Sequence, residues 1–537
     1  MTEQIGWQAS GRDGAVAAGG PASVGAGLRI LGDGGNAVDA AVATILALAV
    51  TDYGLFAIGG EVPLMVYAAG SRRVRVLSGV GRAPLDAGAI ADFYAEGIPV
   101  DGSYLAMPVP GAPHLCLTAL MTFGTMSFER VVAPTMELLE AGEKDWHGRL
   151  ARTLRRLTEA ERITPGSREE KLQSARNRFY WGDIAVELVE WYEEVGSPLT
   201  SEDLAAHLTT IEEPVAVDYR GLTVHKCGPW TQGPVLAQTL RLLEGANLAS
   251  MEHLSADYVH LVTEAMKLAY ADRDEFYADP EFSGVPLPRL LSDEYTIMRR
   301  SLIDTAHAST QRWPGDPYTM HPLSGEEGPE ENEVRTPISD TTTCVVSDRW
   351  GNVVAATPSC NLVGNRPDPR TGVTQGNRLR CLNTMPGHPN CIEPGKRPRL
   401  TLTPTLVTRE GHPVAAISVA GGDLQDQTTL NVLLNLVEFG MSPAEAVTAP
   451  RFSTDHMENS FDSNPDRAQA FKAPGSLQVD AGIGEGVRRD LAGRGHTLSE
   501  AEDAIGMPVM LTIDGGGRVH AAGDPAAGRH AGALDGE

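Results

Sequence analysis

Hydroxyl side chains crowd the stretch DTTTCVVSDRWGNVVAATPSCN at positions 340–361. Two strand-like runs, 343–346 and 353–357, flank Asp348-Arg-Trp-Gly-Asn, a sequence suited to a hairpin turn. Centring the turn on Trp350 and Gly351 pairs residues whose numbers add to 700 or 701, which sets Thr341 opposite Ser359 or Cys360. Thr341, Thr342, Thr357 and Ser359 then gather at one end of a sheet, with Asn361 just beyond. Threonine is a good strand former, so β-propensity alone accounts for such a cluster. Its position in the chain points to chemistry. A strand starts at Asp340-Thr341 directly after a long loop, and a hydroxyl there can attack the carbonyl of the residue before it. The N→O acyl shift gives an ester that water opens. The product is an N-terminal threonine whose α-amine, with an ordinary pKa of roughly 7.7–8.0, serves as general base for its own hydroxyl. This chemistry needs no metal, cofactor or histidine, and the 305–340 loop gives the released end room to leave.

The surrounding elements must hold that hairpin. Residues 19–50 read as two helices joined by Gly34-Gly35, with Asn36 as N-cap of the second. Ala37, Ala40, Ala41, Ala43 and Ala47 allow close approach of another element, so this helix should be buried. Residues 62–69 and 73–77 read as a hairpin turning at Gly70-Ser71-Arg72. The pattern from 128 to about 206 is helical, amphipathic and charged; 215–224 returns to strand, and helices follow at 235–248 and 253–276. Residues 305–340 hold five prolines and an acidic cluster without apolar periodicity, which predicts a structureless, flexible linker. Beyond the hydroxyl hairpin, strands at 402–408 and 414–419 flank Glu410-Gly-His, a helix covers 428–438, and strands at 508–513 and 519–522 close the chain.

Composition narrows the function class. The 537 residues suffice for a sizeable core, and the net charge of −26 argues against nucleic-acid or anionic-membrane partners. No basic-then-apolar leader opens the sequence, and the longest apolar run, 37–50, contains Asp39 and is too short to span a bilayer. Six cysteines without CxxC spacing fit reduced thiols in a cytoplasmic protein. Gly482-Ile-Gly-Glu-Gly precedes a helical pattern without a convincing strand before it, so it reads as a turn rather than a dinucleotide fingerprint. His225-Lys-Cys227 lacks a second ligand pair and reads as structural.

Taken together, these blocks resemble the γ-glutamyltransferase family of N-terminal-nucleophile hydrolases. The likeness runs in order through GGNAVDAAVA at 34–43, AIGG at 57–60, AMPVPGAPHLCLTAL at 106–120 and the 340–361 block. It continues through PGKRPRLTLTPTLV at 394–407, SVAGGDLQDQ at 418–427, GMSPAEAVTAPRF at 440–452 and GDPAAGRHAGA at 523–533. The resemblance implies an α+β four-layer αββα sandwich. It implies self-cleavage between Asp340 and Thr341 into chains 1–340 and 341–537 that remain associated. Thr341 takes the nucleophile's place, Thr357, Ser359 and Asn361 match residues that support it, and Gly421 and Gly422 match the oxyanion-hole pair. No cofactor or metal is implied, and the expected partner is a small-molecule substrate.

The departures bear on specificity. Where the family carries a carboxylate-binding arginine, this chain has Val80, with Arg82 two residues on. Where the family carries an amine-binding aspartate, CLNTMPGHPN places Met385. A serine pair becomes Leu400 and Thr401, which loses one hydroxyl. A zwitterionic γ-glutamyl head deprived of both charged partners loses hydrogen bonds of about 1.5–3 kcal/mol each. The chemistry is therefore expected to persist with altered specificity, nearer the branch that holds oxamate-type amidohydrolases. The alternative is hydrolysis of a C–C bond beside a keto acid, as in relatives from alkyl-proline antibiotic pathways. A third option is a non-catalytic descendant that only binds a ligand. Arg82 is a candidate carboxylate clamp, with a structural salt bridge as its competing role. His388 is either a substrate contact or a rigid-turn histidine held between Pro386 and Pro389.

Overall fold

The computed structural model describes residues 5–100, 102–323, 326–327, 340–362, 364–463, 467–471 and 473–535. Two seven-stranded antiparallel sheets form its centre. The first runs His530–Leu534, Gly14–Ala18, Cys344–Asp348, Val353–Ala356, Val62–Ala68, Arg73–Gly79, Ile211–Glu212. The second runs Gln8–Gly11, Val519–Gly523, Met507–Ile513, His412–Ala420, Thr405–Arg409, Leu222–Lys226, Val215–Tyr219.

Strand alternation sorts the core that lies on the two sheets into three parts. In the first sheet Val16, Ala18, Leu64, Val66, Cys344, Val346, Val354 and Ala356 pack outward with the helices Pro21–Gly32, Ala37–Thr51 and Ala112–Phe123. Ala15, Ala17, Met65, Tyr67, Val345, Val353 and Ala355 face the other way, against Leu406, Ala416, Val509, Leu511 and Ala521 of the second sheet. The opposite face of the second sheet, with Val407, Ile417, Val419 and Met510, packs on Pro234–Leu243, Ala256–Phe276 and Leu424–Val437. Central strands are thus apolar on both faces, which explains runs such as CVV and VVAA that lack polar alternation.

Local signals set these elements. Asn36 caps Ala37–Thr51 by accepting from the Val38 and Asp39 amides, and Asp39 closes a capping box. Asp39 also accepts from the Thr125 and Met126 amides, which ties the alanine-rich helix to the next helical layer. In the 349–352 turn, Asp348 accepts from the Trp350 and Asn352 amides. Its other oxygen accepts from Ala37 N at 2.8 Å, clamping the hydroxyl hairpin to the start of that helix.

The linker expectation meets two outcomes. Residues 324–325 and 328–339 lie outside the described residues. The portion before them is not structureless: Gln311–Arg312 pairs with Glu326–Glu327, and Gly315–Asp316 with His321–Pro322. Gly315 N donates to the buried Asp272 carboxylate at 2.9 Å, an anchor no local pattern reveals. Of the two helices expected at 235–248 and 253–276, the first stops at Leu243 and the second starts at Ala256 behind a Ser255 cap. No helix among the described residues is long and apolar enough to cross a membrane.

Candidate active site

The hairpin register is the one that adds to 700: Cys344 faces Ala356, and Thr341 forms an isolated bridge with Ser359. Ser359 bridges on its other side to Glu61, which follows the Gly59-Gly60 turn. Thr341, Ser359 and Asn361 are fully buried in the uncut chain.

Around the Asp340–Thr341 peptide bond the side chains converge. Thr341 Oγ1 donates to Asp340 Oδ1 at 3.0 Å and lies 3.2 Å from Ser359 Oγ. Ser359 Oγ donates to the carbonyl oxygen of Asp340 at 2.6 Å. Arg378 Nη2 donates to Ser359 Oγ at 2.5 Å and to Asp340 Oδ2 at 3.3 Å. Asn361 Nδ2 donates to the same Oδ2 at 2.6 Å, from a backbone at φ +43°. Arg378 Nε is held by Glu61 Oε1 at 2.5 Å. Burial pushes the Glu61 carboxyl up to about 7, against the pull of Arg378 and with a further push from Asp340. This arrangement has the parts for an acyl shift: a nucleophilic oxygen beside a carboxylate, and a carbonyl polarised by a hydroxyl that itself receives a guanidinium hydrogen bond.

A second ring of residues fixes the backbone after the bond. Arg529 Nη2 donates to the Thr341 carbonyl at 3.4 Å, and its Nη1 lies 3.5 Å from Asp52 Oδ2. The Thr342 hydroxyl donates to that same Asp52 oxygen at 2.6 Å. Gly421 and Gly422, at φ +137° and +59°, turn the chain from His412–Ala420 into Leu424–Val437. A Cβ on Gly422 would stand 3.0 Å from the Phe461 ring, whose centroid is 5.7 Å from the Arg378 guanidinium. The glycine turn therefore borders the Arg378 side of the site. Thr357 is engaged one step away: its hydroxyl lies 3.1 Å from Ser418 Oγ.

The residues singled out for substrate contact are distributed differently. Both Nη atoms of Arg82 are taken by Glu281, at 2.9 and 3.0 Å. His388 Nδ1 accepts from the Asn390 amide, which leaves Nε2 to donate to the Asp274 carbonyl at 2.9 Å. Burial, with Arg467 and Arg399 nearby, lowers its pKa to about 3. Met385 is buried, and its carbonyl receives the His388 amide in the same turn. Val80 packs in the inter-sheet core. Thr401 is buried with its hydroxyl unpaired. His225 bonds Thr408 at 2.9 Å at the strand edge. A separate trio of possible metal ligands, His260, Glu264 and His496, is internally paired: the imidazoles meet at 2.8 Å and Lys267 holds Glu264.

Sequence reasoning missed Glu61, Arg378, Asp52 and Arg529. Glu61 interrupts an apolar strand opening right after AIGG, and that charge at a buried position was the available signal. Arg378 carries no comparable mark within GNRLRC.

The model of the family described as Gamma-glutamyltranspeptidase matches residues 23–162 and 142–534. The glutathione hydrolase proenzyme of Bacillus subtilis strain 168 is 30% identical over 94% of this chain and 88% of its own length. The solved structure of LmbA2991HD aligns with a TM-score of 0.86 at 32% identity, covering 99% of this chain and all of that one. Cephalosporin acylase from Bacillus halodurans aligns with a TM-score of 0.80 at 26% identity, covering 100% of this chain and 98% of that one. Matched along nearly its whole length in sequence and architecture, this chain is an enzyme of the gamma-glutamyltranspeptidase family.

Proposed function

We propose that the chain cleaves itself between Asp340 and Thr341, and that the freed Thr341 then hydrolyses or transfers the acyl group of a small amide. The observation that carries this reading is the 2.6 Å hydrogen bond from Ser359 Oγ to the Asp340 carbonyl, with Thr341 Oγ1 poised 3.0 Å from Asp340 Oδ1. In the first reaction Thr341 Oγ1 loses its proton towards the Asp340 carboxylate and bonds to the Asp340 carbonyl carbon. The C–N bond breaks, the nitrogen takes a proton, and water opens the ester. In turnover the new α-amine takes the hydroxyl proton as Oγ1 attacks the substrate carbonyl, and the leaving amine departs with that proton. Water or an acceptor amine then takes the acyl group from Oγ1 and restores the free threonine. Gly421 and Gly422 are assigned the oxyanion, Ser359 and Asn361 the support of Thr341, and Thr357 the positioning of the second strand through Ser418. No metal or cofactor takes part in these steps. The stacking of helices, sheet, sheet and helices is read as the four-layer αββα sandwich of N-terminal-nucleophile hydrolases, and the location as cytoplasmic.

Relatives named as a glutathione hydrolase and a cephalosporin acylase support amide chemistry. The γ-glutamyl head group itself is disfavoured, because Val80 and Met385 are buried apolar side chains where recognition needs charge. Mass spectrometry of purified protein tests the reading: it should find chains of residues 1–340 and 341–537, and Thr341→Ala should stay whole. An uncut wild-type chain that turns over substrate would refute it. Product analysis separates amide hydrolysis, which releases ammonia or an amine, from C–C hydrolysis beside a keto acid, which releases oxalate or another keto-acid fragment and no amine.

A further inference from the structure

The Asp340 side chain is bound as a ligand would be. Its carboxylate lies inside the protein, 4% exposed, and receives Thr341 Oγ1, Asn361 Nδ2 and Arg378 Nη2. Arg378 is wholly buried and faces two carboxylates, Asp340 at 3.3 Å and Glu61 at 2.5 Å. Self-cleavage turns Asp340 into a chain terminus, whereas Glu61 is bridged to Ser359, the Asn361 carbonyl accepts the Asn377 amide and Arg378 sits in the Arg378–Cys381 turn. Once Asp340 withdraws, the guanidinium keeps Glu61 and the Ser359 hydroxyl but loses one of its two carboxylates, and Asn361 Nδ2 loses its acceptor. A buried donor left without an acceptor is costly, so the vacated position favours a new anion.

We infer that Asp340 is a placeholder, and that Arg378 and Asn361 become the site for a substrate carboxylate in the mature enzyme. The inference rests on the self-processing reading above and adds the substrate class. Asp340 is the first acyl group that Thr341 attacks, and its carboxylate is separated from the scissile carbonyl by two carbons. A substrate that reuses those donors carries a free carboxylate within two carbons of the carbonyl under attack, as in oxalyl, malonyl or succinyl amides. An α-ammonium group has no free anion there: Glu61 is held by Arg378, and the unpaired buried acceptor, Asn361 Oδ1, is neutral. This accounts for a cation at the site while the γ-glutamyl pair is missing, and it gives to Arg378 the role that Arg82, paired with Glu281, does not fill.

The first test uses the uncut chain, so that it does not depend on catalysis. Formate fills the space that Asp340→Ala opens. In Thr341→Ala/Asp340→Ala, tens of millimolar formate should raise the melting temperature by about 3 °C over chloride at equal ionic strength. Thr341→Ala alone, with the placeholder in place, should not respond, nor should the double variant carrying Arg378→Gln. If that triple variant fails to fold, the comparison of the first two decides. An equal response with and without Asp340 overturns the proposal. The second test uses the processed wild-type enzyme and calorimetry. Succinamate should bind at least 10-fold tighter than L-glutamine, and the reverse order overturns the substrate class. Failure of wild type to process refutes the self-cleaving reading, while the formate result still judges the carboxylate site separately.

Discussion

Ser359 Oγ stands 2.6 Å from the carbonyl oxygen of Asp340 and is itself held by Arg378, so one serine links a buried cation to the bond that precedes Thr341. A hydroxyl that receives a guanidinium hydrogen bond donates more strongly, and it sits where negative charge would develop as Thr341 attacks. Ser359→Ala should slow the appearance of the two chains by about 10²–10³, the usual loss for one oxyanion donor. Ser359→Thr keeps the donor and should process at near the parent rate. A time course on denaturing gels after rapid purification reads both; an alanine variant as fast as the parent removes Ser359 from the reaction.

Glu61 makes the uncut chain sensitive to pH in a defined direction. Burial, its main influence, raises the carboxyl to about 7, above its ordinary value of 4.5. In that interval the folded state holds a proton that the unfolded state has lost. The stabilising contribution is therefore complete below about 4.5 and disappears as pH rises through about 7. In a Thr341→Ala background, Glu61→Gln should gain stability relative to its parent between pH 5 and 7. The gain should be on the order of 2 kcal/mol across that range. Paired urea titrations at each pH give the difference, and a constant offset would show that Glu61 does not titrate there.

The hairpin was legible because its signals are local. An Asp-Arg-Trp-Gly-Asn turn between two β-branched runs narrows the register to Thr341 against Ser359 or Cys360, and the structure takes the first. Asn36 was legible for the same reason, as a cap beside the helix it starts. The Glu61–Arg378 pair joins residues 317 positions apart, and although Glu61 stands out at the opening of an apolar strand, nothing local names Arg378 as its partner. The 305–323 segment misled in the opposite sense. Its prolines and polar residues promise no structure, yet buried Arg312 and the Gly315–Asp272 bond pin it to the core. Arg82 shows a further limit. Its residue type suits a carboxylate clamp, and its partner, Glu281, lies 199 positions away on a segment that pattern does not bring near.

His388 carries an acid liability. Its Nδ1 must stay unprotonated to accept from Asn390, and burial keeps its pKa near 3, below the ordinary 6.5. A depressed histidine contributes stability that is intact above about 6.5 and is lost as pH falls towards 3, at up to roughly 1.4 kcal/mol per pH unit. In the same uncut background, His388→Gln should flatten the slope of stability against pH between 6 and 4 by about one proton. An unchanged slope would mean that the imidazole is protonated in place without cost.

Cleavage after Asp340 would leave two chains that cannot be parted as folded bodies. In the first sheet Gly14–Ala18, from the leading chain, lies between His530–Leu534 and Cys344–Asp348, both from the trailing one. In the second sheet Gln8–Gly11 caps Val519–Gly523 at one edge, and Leu222–Lys226 pairs with Thr405–Arg409 towards the other. Neither chain owns a complete sheet, and each would expose the apolar faces of all three cores on leaving. Processed protein should therefore elute at the mass of the intact chain even at nanomolar dilution. The two pieces should separate only in denaturant, along with loss of the whole fold. Release of either piece under native conditions would contradict this strand order.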